Sequence, residues 1–301
     1  MHRKYHFFFF FLVATTLLHA QATKKVVIDA DTGNEVDDLY AVVRALIEPS
    51  FEVIALNATQ WQASHWAVEK SMEESYRLNQ VLLGELGMSG KVKSHRGAED
   101  RLFDWGYIAQ HSAAAYYLIQ EAKQHSAEDK LTVIALGALT NVASAILIAP
   151  DIQGKIDLYW LGTTYDFENN ILRKRDFNCM MDPQALAEVL DSKVECHIIP
   201  VSVANQMTFD YEETIEKMPS DQTLNRFLLE RWYHHLDGGR KERVIWDLAI
   251  IEAIIHPEWA TQQQIRTSPE NGNRDVWYYS DIDEDAMRDD FFEMLRAHLE
   301  K

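Results

Sequence analysis

The chain has 301 residues, a hydrophobic content of 47% and a formal net charge of −18 at pH 7. This length and composition are typical of one large α/β domain with a substantial core. So negative a charge disfavours nucleic acid and anionic membrane surfaces as partners, whereas it does not oppose a small neutral ligand.

Residues 1–22 have the pattern of a secretory signal peptide. His2, Arg3 and Lys4 precede an apolar segment at residues 7–18, and small residues follow up to Ala22. The apolar segment is shorter than the roughly 20 residues that a membrane-spanning helix needs. We therefore expect its removal, export of the chain to the periplasm or the medium, and a single mature domain at residues 23–301.

Apolar, β-rich segments alternate with longer amphipathic segments along the chain. The first kind predicts strands at residues 26–28, 53–56, 131–136, 156–161 and 194–200. Apolar residues at three- and four-residue spacing predict helices at residues 66–83, 110–125, 139–148, 183–190, 224–236, 246–255 and 285–299. The alternation favours an α/β fold with a mainly parallel, Rossmann-like open sheet and helices on both faces.

Polar clusters follow four of the predicted strands, at residues 29–38, 57–61, 137–141 and 162–166. Ligands of open α/β sheets bind beyond the carboxyl ends of the strands. We therefore expect one pocket to collect all four clusters.

The acidic segment after the first strand is the strongest functional signal. It contains Asp29, Asp31, Asp37 and Asp38, and carboxylates so close together need protons or a cation. Their oxygens suit Ca²⁺ or Mg²⁺. Helix capping explains one such aspartate better than two pairs, so a metal or acid–base role is favoured. A phosphatase-type D-x-D-x-T/V loop is a weaker alternative, because Gly33 occupies the fifth position.

Later segments carry polar residues where predicted helices begin. Taken alone, Thr140 is expected to cap a strand-to-helix turn, and Asp247, which follows Trp246, is expected to cap an apolar helix. Asp176 and Asn178 precede a proline-initiated helix, where they could bind hydroxyl groups. A ligand role for Asp247 requires other acids to converge on it.

In this order, the segments resemble the inosine-uridine preferring nucleoside hydrolase family over most of the chain. The family combines a D-x-D loop with a D-D pair, an Asn after the second strand, G-P-L-T-N, E-F-N before D-P, and a His-Asp or Trp-Asp pair. The matching segments here are D-A-D-T-G and D-D within residues 29–38, Asn57, G-A-L-T-N at 137–141, D-F-N at 176–178, D-P at 182–183 and W-D at 246–247.

The resemblance implies calcium-dependent hydrolysis of the N-glycosidic bond of ribonucleosides, a small-molecule substrate, to free base and ribose. It implies that Ca²⁺ is held by Asp31, Asp38, Asp247 and the carbonyl group of Thr140, with Asp29 orienting this shell. Asp31 would also take a proton from the attacking water. The ribose hydroxyl groups would be bound by Asp37, Asn57, Asp176, Asn178 and Asp247.

The resemblance also bears on the base. Trp246 stands where many members have a histidine; in the purine-preferring branch a tryptophan stacks on the base there. Trp61 or Trp66 could cover the other side of the base. Together, these tryptophans favour purine nucleosides as substrates and a role in purine salvage. A core position for Trp246 is an equal alternative.

The chain also departs from the family pattern. The acidic loop is two residues longer than the common form, Thr32 replaces a proline, and Asp176 replaces a glutamate. Two alternatives therefore stay open: a relative that binds calcium and sugar without nucleosidase activity, and a hydrolase of another ribosyl compound. Family relatives are commonly dimers or tetramers, so a homo-oligomer is compatible with the resemblance.

Cysteines and histidines show no metal-binding spacing typical of zinc. Cys179 and Cys196 are too few for a disulfide framework, and buried thiols are favoured over a single bridge. We expect His111, His234 and His235 to be surface side chains.

Overall fold

The computed structural model describes residues 23–103 and 107–301. The predicted signal peptide lies outside the described residues. The strands are β1 (Lys24–Ala30), β2 (Phe51–Ala58), β3 (Lys93–His95), β4 (Leu131–Ala135), β5 (Ile156–Leu161), β6 (Thr164–Asp166), β7 (Ile171–Arg173), β8 (Glu195–Ile199), β9 (Thr208–Asp210), β10 (Glu242–Val244), β11 (Ala260–Arg266) and β12 (Asp275–Ile282). The α-helices are α1 (Asp37–Ile47), α2 (Ser71–Glu85), α3 (Ala113–Ala122), α4 (Thr140–Ile148), α5 (Phe177–Met181), α6 (Pro183–Asp191), α7 (Val201–Ala204), α8 (Tyr211–Lys217), α9 (Thr223–Tyr233), α10 (Trp246–Ile255) and α11 (Glu284–Leu299).

Eight strands form the central sheet, in the order β11-β12-β8-β5-β4-β1-β2-β3. All neighbouring pairs are parallel except β11 with β12. Strand β1 lies between β2 and β4, and Asp29 is in register with Asn57 on one side and Ala135 on the other. The polar segments that follow these strands therefore meet at one edge of the sheet.

Successive residues of β1 face opposite sides of the sheet. Val26 and Ile28 pack in a core with α1, α10 and α11, whereas Val27 packs in a second core with α3, α4 and α6. A central parallel strand covered by helices on both faces needs apolar residues at consecutive positions, as the V-V-I segment provides. The predicted α/β fold class is confirmed.

All five predicted strands are present, each within a few residues of the predicted bounds. Strands β3, β11 and β12 of this sheet were not predicted. Strand β11 has the polar sequence A-T-Q-Q-Q-I-R and lies at the sheet edge, so it lacks the apolar pattern of a central strand. The helix predicted at residues 66–83 begins only at Ser71, since residues 64–67 form a turn in which Ala67 N donates to Ser64 O (3.1 Å).

Cys179 and Cys196 are both free and buried, as expected. In the described part of the chain, every helix is too short or too polar to cross a membrane.

Candidate active site

Three segments supply the acidic side chains of the site. The loop after β1 and the first turn of α1 carry Asp31, Asp37 and Asp38, and the first turn of α10 carries Asp247. These four residues are at most 5% exposed to solvent. Carboxylate oxygens of Asp37, Asp38 and Asp247 lie within 4.8 Å of one another. Tertiary packing thus brings to Asp247 the neighbouring acids that a ligand role requires.

The acidic loop is fastened on two sides. Thr32 Oγ1 lies 2.9 Å from the carbonyl oxygen of Ser75 and 2.9 Å from Asn79 Oδ1, both on α2. On the other side, a Cβ atom at Gly137 would lie 2.6 Å from Asp31 Oδ1, so the turn after β4 packs directly on that carboxylate. Only glycine permits so close an approach.

Burial raises the pKa of the four aspartates Asp31, Asp37, Asp38 and Asp247. The pKa of Asp37 rises to about 7, through burial and then through the charge of Glu35. The pKa values of Asp31, Asp38 and Asp247 rise well above their usual range, through burial and then through one another's and Asp37's charges. No lysine or arginine is among the described residues that line the site. The described lining residues therefore offer no lysine or arginine side chain to neutralise the four aspartates.

The free oxygens of these acids fit a divalent metal ion. Four buried carboxylate oxygens have no hydrogen-bond donor among the described residues: Asp31 Oδ2, Asp37 Oδ1, Asp38 Oδ1 and Asp247 Oδ1. A buried, unpaired carboxylate oxygen costs free energy unless a proton or a cation satisfies it. An oxygen-only donor set of this charge is typical of sites for hard divalent cations.

A cavity of about 240 Å³ opens on the acids. Its lining joins the acidic loop, the D-F-N segment before and within α5, and the start of α10. The lining residues are Asp31, Asn34, Glu35, Asp37, Asp38, Trp66, Leu136, Leu161, Asp176, Phe177, Asn178, Val201, Trp246 and Asp247.

Aromatic rings share this cavity with the acids. Trp66 is stacked on Phe177 with ring centroids 5.4 Å apart, and its Nε1 donates to Asn34 Oδ1 at 3.0 Å. Trp246 donates from Nε1 to Asn205 Oδ1 at 2.6 Å. Each indole is thus oriented by a hydrogen bond, and its faces can contact a planar ring.

Most residues predicted for the site line the cavity: Asp31, Asp37, Asp38, Trp66, Asp176, Asn178, Trp246 and Asp247. Asn57, Trp61 and Thr140 are not part of the lining. Asn57 Nδ2 instead donates to Asp29 Oδ1 (2.8 Å), and the hydroxyl group of Thr140 donates to Asp182 Oδ2 (2.7 Å).

Trp61 lies in a small apolar cluster with Ala138 and Met181, and Trp66 packs against that cluster. Trp61 therefore supports Trp66 from outside the cavity. Burial raises the pKa of Asp29 to about 6, while hydrogen bonds with Asn57 and Asn141 oppose this rise.

Two predicted hydroxyl-binding residues also hold the backbone together. Asp176 accepts hydrogen bonds from the backbone amides of Thr163 and Cys179. Asn178 Nδ2 donates to the carbonyl oxygens of Leu136 (2.7 Å) and Leu161 (3.0 Å). The D-F-N segment is therefore tied to the carboxyl ends of β4 and β5.

Several lining residues were not singled out from the sequence, including Asn34, Glu35, Phe177 and Val201. Phe177 was detectable from its place between Asp176 and Asn178. The expectation for His235 was wrong: its side chain is only 6% exposed, and Nε2 lies 3.1 Å from Glu35 Oε2. This contact joins the segment after α9 to the acidic loop, and no pattern in the local sequence indicates it.

The model of the inosine-uridine preferring nucleoside hydrolases matches residues 26–288, which include every acid of the site. The chain belongs to this family. As a nucleoside hydrolase it is an N-glycosidase, and it belongs to a family of enzymes that bind a divalent metal ion.

Curated relatives and a solved structure agree with the family. The chain is 24% identical over 263 residues to the probable uridine nucleosidase 1 of Oryza sativa subsp. japonica, covering 79% of this chain and 78% of that protein. It is 24% identical over 257 residues to the non-specific ribonucleoside hydrolase RihC of Salmonella agona (strain SL483), covering 80% and 82%. The purine-preferring ribonucleoside hydrolase from Gardnerella vaginalis has the same fold, with a TM-score of 0.69 at 17% identity over 91% of this chain and 99% of that one.

Proposed function

We propose that the chain is a calcium-dependent ribonucleoside hydrolase that leans to purine nucleosides and releases free base and ribose. One observation carries the proposal: four buried carboxylates with free oxygens and two oriented indole rings line the same cavity. The acids suit a cation and the ribose hydroxyl groups, and the indoles suit a planar base.

Calcium is favoured by the chemistry of the donors. Asp31, Asp38 and Asp247, with the carbonyl group of Thr140 that the family resemblance adds, would form an oxygen-only set, and Ca²⁺ takes six to eight oxygen ligands. When bound, the cation supplies positive charge that acidifies a water molecule near the sugar.

Asp31 is the proposed general base. Its Oδ2 atom has no donor among the described residues, and burial with the charge of Asp37 raises its pKa. Asp31 would take the proton of the attacking water as the bond between base and ribose lengthens, and the base would leave with the electron pair of that bond and take up a proton from solvent. The remaining carboxylates would stabilise the cationic character that the sugar then develops.

Asp37 and Asp247 would bind the ribose diol; in support, both line the cavity and each has one carboxylate oxygen without a donor among the described residues. Asp176 and Asn178 would contribute only those lone pairs that their backbone contacts leave free. Trp246 and the stacked pair of Trp66 and Phe177 would contact the base, and this supports the lean to purines.

The same proposal includes export. Residues 1–22 have the pattern of a signal peptide, and an exported hydrolase would supply purine salvage with free base. N-terminal sequencing of the protein from a cell fractionation tests this step: a mature chain that begins near residue 23 supports it, and an intact Met1 in the cytosol contradicts it.

The decisive experiment measures release of base and reducing sugar from inosine, adenosine, guanosine, uridine and cytidine. Each assay is run with Ca²⁺ and again after chelation, with Mg²⁺ readdition as the matched control. We expect chelator-sensitive release, restored by Ca²⁺ and faster for purines. Stoichiometric Ca²⁺ binding without release from any of the five would favour a sugar-binding relative or a hydrolase of another ribosyl compound.

A further inference from the structure

A second group of metal-binding side chains lies away from the active-site cavity, where α1, α10 and α11 pack together. Glu252 and His256 are four residues apart on α10 and at its end, and Asp290 lies on α11. One ligand atom from each of the three lies within 4.8 Å of the other two. A spacing of four residues places two side chains on one face of a helix.

The acids of this group exceed the available positive charge. Arg44 on α1 contacts Glu48 (2.7 Å), Glu252 (2.9 Å) and Asp290 (2.6 Å), so one guanidinium group faces three carboxylates. Arg44 donates to Glu252 Oε1 and Asp290 Oδ2, so it donates to neither Glu252 Oε2 nor Asp290 Oδ1.

Glu252 is the independent sign of a missing partner. The residue is fully buried, and its Oε2 atom has no donor among the described residues. Burial raises the pKa of Glu252 to about 8 despite the nearby charge of Arg44. A carboxylate oxygen in this position is satisfied by a proton or by a metal ion.

His256 is oriented as a metal-binding histidine is. Its Nε2 atom lies 3.7 Å from Asp290 Oδ1, while Nδ1 lies 3.4 Å from Glu258 Oε1. Trp259 stacks on the ring at a centroid distance of 3.8 Å. A carboxylate on the far ring nitrogen commonly fixes the orientation of a histidine ligand. His256 and Asp290 keep side-chain exposures of 26% and 18%, which gives an ion a route from solvent.

A comparable group in the sheet shows the contrast. His197 lies between Asp157 (3.1 Å) and Gln262 (3.1 Å), and Lys130 pairs with Glu195. In that group Glu195 is neutralised by a lysine, and Asp157, whose Oδ1 atom also lacks a hydrogen-bond donor among the described residues, has a side chain that is 23% exposed. The side chain of Glu252, in contrast, is 0% exposed, so water cannot satisfy its free oxygen.

We propose that Glu252, His256 and Asp290 form a second metal site, separate from the active site, which binds Zn²⁺ or a similar transition-metal ion. One nitrogen and two carboxylate oxygens, with water as the fourth ligand, match the preferences of Zn²⁺. The ion would join α10 to α11 beside Arg44. Ca²⁺ takes oxygen ligands alone, so the two sites select different metals.

Zn²⁺ binding to the purified protein, saturated with Ca²⁺ to occupy the oxygen-only site, tests the proposal. Calorimetry should give one Zn²⁺ per chain, and a hundredfold excess over Kd should raise Tm by about 5 °C. Co²⁺, used as a probe, should show visible absorption bands that respond to loss of the histidine ligand.

The key variant is His256→Ala, with His234→Ala, an exposed histidine, and His197→Ala as matched controls. We expect His256→Ala to lose the Zn²⁺-induced shift in Tm and the Co²⁺ spectrum, and the controls to keep both. Glu252→Gln should weaken Zn²⁺ binding at least tenfold. Absence of Zn²⁺ binding in the unaltered protein, or an equal response in His256→Ala, would overturn the proposal, whatever the nucleosidase assays show.

Discussion

Asp31 illustrates how one side chain can have a chemical role that its neighbours create. Its carboxylate packs on Gly137, and the charge of Asp37 helps to raise its pKa. One of its oxygens has no hydrogen-bond donor among the described residues. The charge of Asp31 and its free lone pairs support its proposed roles as a metal ligand and as the base that receives a proton. A substitution that removes the charge of Asp31 with little change in side-chain volume separates its chemical role from a packing role.

We expect Asp31→Asn to lower kcat about 10³-fold or more while the fold is retained, because the change removes both a base and a metal ligand. Steady-state kinetics with saturating Ca²⁺ and a circular dichroism spectrum provide the measurement. Asp281→Asn, at an exposed position on β12, is the control. Unchanged turnover in Asp31→Asn would show that another group is the base.

Trp246 distinguishes a base-stacking role from a core role. We expect Trp246→Ala to reduce kcat/KM for purine nucleosides about tenfold more than for pyrimidine nucleosides, because purines offer a larger ring face for stacking. Trp277→Ala serves as a control outside the cavity, since Trp277 stacks near His197. Equal losses on both substrate classes would assign Trp246 to packing.

At the scale of elements, the acidic loop depends on helix α2. Thr32 is fully buried and joins the loop to Ser75 and Asn79, more than forty residues along the chain. The resemblance places a proline at this position in most family members. In this chain the hydroxyl group of Thr32 joins the loop to α2, where a proline would instead stiffen the backbone of the loop. This contact can hold the acids of the longer loop in place.

Thr32→Val keeps the shape of the side chain and removes the hydroxyl group. We expect the free energy of unfolding to fall by about 1–3 kcal/mol, because buried polar partners on α2 lose their contact. Ca²⁺ affinity should fall as well. Urea denaturation and calcium titration measure both effects, with Thr32→Ser as the control that keeps the hydroxyl group. A Thr32→Val protein with unaltered calcium affinity would mean that the tether does not position the acids.

At the scale of the whole molecule, the buried acids make stability depend on pH and metal together. The pKa of Asp29 is raised to about 6 and that of Asp37 to about 7, and those of Asp31, Asp38 and Asp247 lie well above the usual range. Between about pH 4 and pH 7 the folded state therefore holds protons that the unfolded state has released. Stability then falls as pH rises.

We expect the chelated protein to lose stability steadily from pH 5 to pH 7.5, whereas Ca²⁺ should remove most of this slope because it takes the place of the protons. Urea denaturation at several pH values, with chelator or with Ca²⁺, measures the difference. Asp247→Asn should flatten the slope of the chelated protein. A chelated protein that gains stability over this range would contradict the assignment of raised pKa values.

Much of the fold and part of the site could be read from the sequence, because their signals are local. The V-V-I segment of β1 and the amphipathic spacing of α6 and α11 each reflect which neighbouring residues are buried. The acids from Asp29 to Asp38 are likewise recognisable, since so many charges in one short segment need a partner. Edge strand β11 escaped prediction because its exposed glutamines carry no apolar alternation.

The sequence by itself determined the alternation of strands and helices, the acidic loop and the order of the family motifs. Only the tertiary structure decided which side chains converge: Asp247 with Asp37 and Asp38, Trp66 with Phe177, His235 with Glu35, and Asp290 with His256. The physical reason is that a local pattern records which residues are buried, whereas a binding site depends on distances between residues far apart in the chain. Those distances exist only once the helices have packed on the sheet.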